Sequence, residues 1–189
     1  MSPASILKLG YRLIELLRCL HSLNFTHGDI KLENLLVGNT DPGNLYLIDF
    51  GLSIPFLDHE DNHIKRRQLG RFTGNAFFAS INSCKGYNKS RKDDIESAFY
   101  VILYLFNGLK LPWSHYSNAN RSDSSWIRDF IKERQKRKYV DQLRAIVPQG
   151  LGPVFEEILH LKFSQEPPYD RILAAFNDSF NRFKVQENP

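Results

Sequence analysis

With 189 residues, 42% of them apolar, the chain is long enough to bury a substantial core and is expected to form one domain. Its longest apolar run, Ala98 to Phe106, is too short to cross a bilayer, and Cys19 and Cys84 make neither a disulfide framework nor a zinc-spaced cluster. No charged stretch leads into an apolar one at the start, so no secretory signal is expected, and two reduced thiols suit a cytoplasmic or nuclear protein. The balance of 25 Lys+Arg against 21 Asp+Glu is only mildly basic. The cations are gathered, however, at Lys65, Arg66, Arg67 and Arg71, at Lys85 to Lys92, and at Lys132 to Lys138. Such clusters attract acidic peptides, phosphates or nucleic acid, or simply form a solvated face.

Residues 5–23 carry Ile6, Leu9, Leu13, Leu16, Leu17 and Leu20 at three-to-four spacing, which predicts an amphipathic helix. From Asn24 to Asn34 that period is lost and a loop is expected. Two short apolar runs, Leu35–Val37 and Leu45–Ile48, flank the turn-rich 38–44 linker and predict a small antiparallel pair. Residues 51–82 are polar, basic and aperiodic, and read as a long functional surface loop. Asp93 and Asp94 suit a helix start, and the helix after them, to Phe106, is apolar nearly all round and so central. Further helices are predicted over 123–138, 152–163 and 169–184, with breaks at Pro148, Gly150, Gly152 and Pro167-Pro168.

The chemistry is concentrated in His27-Gly28-Asp29-Ile30-Lys31-Leu32-Glu33-Asn34 and Asp49-Phe50-Gly51. Asp29 is placed to accept a hydrogen bond from an attacking hydroxyl, and Lys31 to neutralise a transferring phosphoryl group. Asn34 and Asp49 offer the hard oxygens that magnesium prefers. Gly51 lets the backbone turn after Asp49. That set is what phosphoryl transfer from a nucleotide requires.

HGDIKLEN followed by DFG resembles the catalytic loop and metal-binding motif of eukaryotic protein kinases. The stretches TGNAFFASIN, SRKDDIES and LPW narrow the resemblance to the casein kinase I family, over about Leu7 to Phe183. It implies an α+β protein-kinase-like fold, seen here as a mostly helical C-lobe with a small β-hairpin at the catalytic and metal-binding loops. By that resemblance the chain transfers the γ-phosphate of ATP, with Mg2+, to Ser/Thr hydroxyls of protein substrates. Asp29 would be the base, Lys31 the phosphate contact, and Asn34 and Asp49 the magnesium ligands. Residues 27–34 would be the catalytic loop and 49–82 the activation segment. Asp94 would open the central helix, about 94–106, and hold the loop by its backbone, while His27 steadies it by packing.

Several positions depart from the family pattern. No Gly-rich loop and no strand lysine precede the first helix, so these residues are expected to lack an N-lobe and to leave the apolar floor of the cleft open to a partner. Gly28 stands where an Arg is usual, which argues against activation by loop phosphorylation. Asn75 replaces a Thr that would bridge the base and the Lys. Phe77 replaces an Arg of an anion site for acidic or phosphorylated substrates, leaving Lys110 and Lys65, Arg66, Arg67 and Arg71 as candidate contacts. Two further readings stand beside the kinase: a non-catalytic, pseudokinase-like scaffold, and a nucleic-acid or nuclear-targeting module resting on Lys132 to Lys138. No base-stacking aromatic motif supports the last.

Overall fold

The computed structural model describes the chain except residues 40, 42, 71, 119–124, 136, 188 and 189. Arg71, one of the candidate anion contacts, therefore lies outside the described residues. Helix α1 (Pro3–Ser22) starts where Ser2 Oγ accepts the Ser5 N–H at 3.2 Å, with Pro3 in the first turn. It buries Leu7, Leu13, Ile14 and Leu17. Strands β1 (Phe25–Thr26), β2 (Leu35–Val37), β3 (Leu45–Leu47) and β4 (Ile54–Pro55) form two antiparallel pairs. β2 and β3 pair in the register Leu35↔Leu47, and β1 pairs with β4 as Phe25↔Pro55.

The remaining helices are α2 (Ile81–Cys84), α3 (Arg91–Phe106), α4 (Ser125–Arg134), α5 (Arg137–Ile146), α6 (Gly152–His160) and α7 (Tyr169–Glu187). α3 is the axis of the fold. All its residues from Asp93 to Leu103 are buried, which matches its lack of a polar face. Phe99 stacks on Phe155 of α6 at 5.9 Å and meets Phe176 of α7 at 5.6 Å. Trp113 packs edge-on against Tyr100 and satisfies its indole N–H on the Phe77 carbonyl at 2.9 Å. No helix among the described residues is long and apolar enough to cross a membrane.

Three expectations need correction. The 24–34 loop and the 51–82 loop are not wholly irregular, because β1 and β4 pair across them and α2 closes the second. Two-residue strands show no period that sequence reading can detect. The single helix expected over 123–138 is two helices, α4 ending at Arg134 and α5 beginning at Arg137. Tyr139, Leu143 and Ile146 carry the second one's buried face at helical spacing, past the point where the charged run hid it. α3 also starts earlier than expected, so Asp93 and Asp94 lie inside its first turn.

α1 and α7 approach so closely that a Cβ on Gly10 would run into the Phe176 ring. Gly10→Ala therefore overpacks this contact and lowers the unfolding free energy by about 1–3 kcal/mol. A denaturant midpoint unchanged from wild type would show that the two helices slide apart without cost.

Candidate active site

The 27–34 loop hangs from one buried carboxylate. Asp94, in the first turn of α3, accepts the His27 N–H at 2.7 Å on Oδ2 and the Gly28 N–H at 2.8 Å on Oδ1. Oδ2 also accepts from His21 Nε2 of α1 at 2.9 Å, and His21 Nδ1 meets the Tyr169 hydroxyl of α7 at 2.6 Å. Burial pushes the Tyr169 phenol up, so the hydroxyl keeps its proton. Burial alone would raise Asp94, but the His21 hydrogen bond and charge and the two backbone N–H donors outweigh it and hold the carboxyl below its ordinary value. Its neighbour Asp93 goes the other way. Burial dominates there and pushes it up to about 6, despite the Ser80 hydroxyl at 2.6 Å and the Ser90 N–H at 2.8 Å.

His27 is fully buried and bonds at both ring nitrogens: Nδ1 accepts the Asp29 N–H at 3.2 Å, and Nε2 donates to the Ile48 carbonyl at 3.0 Å. That pairing requires the neutral Nε2–H tautomer. The ring thus ties the loop to the residue preceding Asp49. Asp29, itself buried, has both carboxylate oxygens engaged. Oδ1 accepts the Asn75 N–H at 2.9 Å and Oδ2 meets Lys31 Nζ at 2.5 Å. The Asp29 hydrogen bond raises the Lys31 ammonium, against its partial desolvation.

Asn34 Nδ2 donates to the Asp29 carbonyl at 2.8 Å, which leaves Asn34 Oδ1 without a protein donor among the described residues. The Ile48 N–H bonds the Asn34 carbonyl at 3.0 Å, so Asn34 and Asp49 sit together at the open end of the β2–β3 hairpin. Asp49 is exposed and in the left-handed region at φ 64°, with Oδ1 accepting the Gly51 N–H at 3.2 Å. Asp29, Lys31, Asn34 and Asp49 are therefore brought to one place.

Other sequence candidates lie apart from it. The Asn75 side chain does not bridge Asp29 and Lys31; its Oδ1 accepts the Phe77 N–H at 2.8 Å, and only its backbone reaches Asp29. Arg66 donates to Asn82 Oδ1 and stacks on Tyr87. Arg67 is bonded through its N–H to Asn88 Oδ1, and the Lys65 carbonyl accepts from Asn88 Nδ2. Lys110 is exposed beside Asn107. None of these four has a bond to the 27–34 loop.

Three contributors escaped sequence reading: His21, Tyr169 and Lys89. Lys89 Nζ donates to the Gly28 carbonyl and, at 3.1 Å, to the Thr73 carbonyl, and so straps the loop to residues 73–75. Desolvation lowers this ammonium despite Asp94 and Asp29 nearby. Gly28 is complementary to it. With φ 79°, a Cβ there would lie 2.7 Å from the Leu52 carbonyl and 3.1 Å from Lys89 Cδ. Gly74, at φ 104°, is equally constrained, because its Cβ would lie 2.9 Å from Asp29 Oδ1.

Replacing Lys89 by Met should free the 73–75 strap, with amide hydrogen exchange at Asn75 faster by about tenfold or more. Unchanged exchange would show that the strap carries no load. The paired aspartates give opposite pH signatures. Asp94, depressed, stabilises the fold above the ordinary carboxylate range, and this is lost as pH falls through its folded value. Asp93, raised, contributes stability below the unfolded value of 3.8 that is lost as pH rises through about 6. Asp93→Asn therefore removes a fall in stability between those two pH values, whereas Asp94→Asn costs about 3 kcal/mol at neutral pH and less in strong acid. Parallel pH profiles for wild type and Asp93→Asn would contradict this.

A family model for the protein kinase domain matches residues 1–167, most of the chain. The seven α-helices among the described residues and a small hairpin whose open end gathers Asp29, Lys31, Asn34 and Asp49 fit that family's α+β fold, and the chain belongs to the protein kinase family.

Proposed function

We propose that these residues form the C-lobe of a serine/threonine protein kinase of casein kinase I type. The observation that carries the reading is the buried Asp29 carboxylate, fixed at once by Lys31, by the Asn75 N–H and, through its backbone, by His27. A carboxylate so held orients a substrate hydroxyl without reorganising, which is most of what this chemistry asks of a protein. Lys31 is close enough to share its charge with a transferring phosphoryl group. Residues 49–82 act as the activation segment, and the Lys89 strap holds its 73–75 end against the loop with no need of a phosphate.

Magnesium fits the donor set. Asn34 Oδ1 and the exposed Asp49 carboxylate are hard oxygens, and no group of three His, Cys, Asp or Glu among the described residues makes a self-sufficient cage. Two protein ligands completed by phosphates and water is the usual magnesium arrangement beside a nucleotide. A magnesium ion held there would screen phosphate charge, while Asn34 anchors the Asp29 carbonyl through its amide nitrogen.

One observation favours a second reading, a non-catalytic scaffold. Leu36, Val37, Tyr46, Ile48 and Phe50 are 37–56% exposed along the hairpin and beside Asp49. Exposed apolar side chains gathered on one hairpin suit contact with a partner or the rest of a cleft.

A thermal-shift titration with magnesium-ATP separates the two. The kinase reading expects a saturable rise in melting temperature that needs magnesium and is lost in Asp49→Ala, because a ligand of the folded state stabilises it by mass action. No rise in a cooperatively folded sample would leave the scaffold.

A further inference from the structure

A cavity of about 660 Å3 opens between the 66–92 stretch and helices α3 to α6, with no residue of the 27–34 loop in its wall. Six lining residues are cationic, Arg66, Lys85, Lys92, Arg134, Arg144 and Lys162, against the single carboxylate of Glu96. Lys92 is compensated by Glu96 at 3.6 Å, and Arg144 by Glu156 and Asp141 on its outer side. Arg66, Lys85, Arg134 and Lys162 pair with no carboxylate among the described residues.

Arg134 is the informative one, because it is only 3% exposed. Nη1 donates to the Ala79 carbonyl at 2.6 Å, but Nε and Nη2 have no acceptor among the described residues. Its guanidinium lies 4.1 Å from the centroid of Trp113 and 4.8 Å from that of Tyr100. Ring faces offset part of the cost of burying a cation, and a nearby anion offsets far more. The wall is also apolar, through Val140, Leu143, Leu161 and Phe163.

We propose that this cavity binds a peptide segment of a partner protein in which a phosphorylated or carboxylate side chain sits beside an apolar one. The uncompensated cations take the anion and the apolar wall takes its neighbour. Free phosphate would leave that wall unused. Single-stranded nucleic acid needs open aromatic faces for stacking, and Arg134 already covers Trp113 and Tyr100. The site stands independently of the reading of Asp29.

The test is fluorescence anisotropy on the full chain, with a short fluorescein-labelled peptide bearing one phosphoserine between leucines. Saturable binding is expected, weakened on the order of tenfold when the exposed Lys85 and Lys162 are both changed to Glu. Lys8→Glu with Lys184→Glu, an equal charge change on α1 and α7, should leave it within about twofold, the residual long-range effect. Should the first pair fail to fold, Lys162→Glu alone, whose side chain makes no bond among the described residues, carries the same expectation. Asp49→Ala should bind normally, which separates this site from the nucleotide question. The proposal is overturned by no saturation below about 1 mM, by equal losses in both double variants, or by equal binding of a leucine-free phosphoserine peptide, sodium tripolyphosphate or oligo-dT.

Discussion

The Asp94 carboxylate is the point on which the rest of the site depends. It lies inside the first turn of α3, and through His21, His27, Gly28 and, at one remove, Tyr169 it joins α1, α3, α7 and the 27–34 loop. A buried charge is tolerated only when it is fully bonded, and here the donors come from α1 and from two successive N–H groups of the loop. The loop has no regular ladder of its own between Thr26 and Leu32. Its shape is borrowed from α3, the most deeply packed element of the molecule.

The opposite behaviour of Asp93 and Asp94 shows how far placement decides charge. Both are completely buried neighbours on the same turn. Asp94 receives two backbone N–H groups and an imidazole, and stays ionised with ease. Asp93 receives two hydroxyls, one backbone N–H and the Asn82 amide, but no imidazole, and with Glu96 one turn further on burial prevails. The first carboxylate positions the loop, while the second holds Ser80 and Ser90, and so ties α2 to the start of α3.

Much of this was legible in the sequence because it rests on local pattern. The stripe of Leu13 and Leu17, the all-round apolarity of 95–106 and the two runs flanking 38–44 each fixed an element, and HGDIKLEN with DFG fixed the residues that meet. What escaped was non-local. His21 lies on the buried stripe of α1, where sequence offers only a core histidine, and its partners are 73 and 148 residues away. Lys89 sits in a basic run that reads as solvated surface, and nothing in its neighbours announces two carbonyls at Gly28 and Thr73. Arg134 was hidden in the same way inside 132–138, though it ends up beneath three aromatic rings.

Gly28 and Lys89 together change the meaning of a departure. Taken alone, a glycine where a kinase loop usually carries arginine looks like loss of the cation that orders the neighbouring segment. In the structure a cation from elsewhere in the chain reaches the loop. Lys89 reaches the loop from just ahead of α3, and its methylene chain occupies the space that a side chain at position 28 would need. A lysine bonded to two main-chain carbonyls links the loop to Thr73 through acceptors that no phosphatase can remove. Asp29 lies between Lys31 and the Asn75 N–H in a geometry set by packing, which is the kind of arrangement that preorganisation requires.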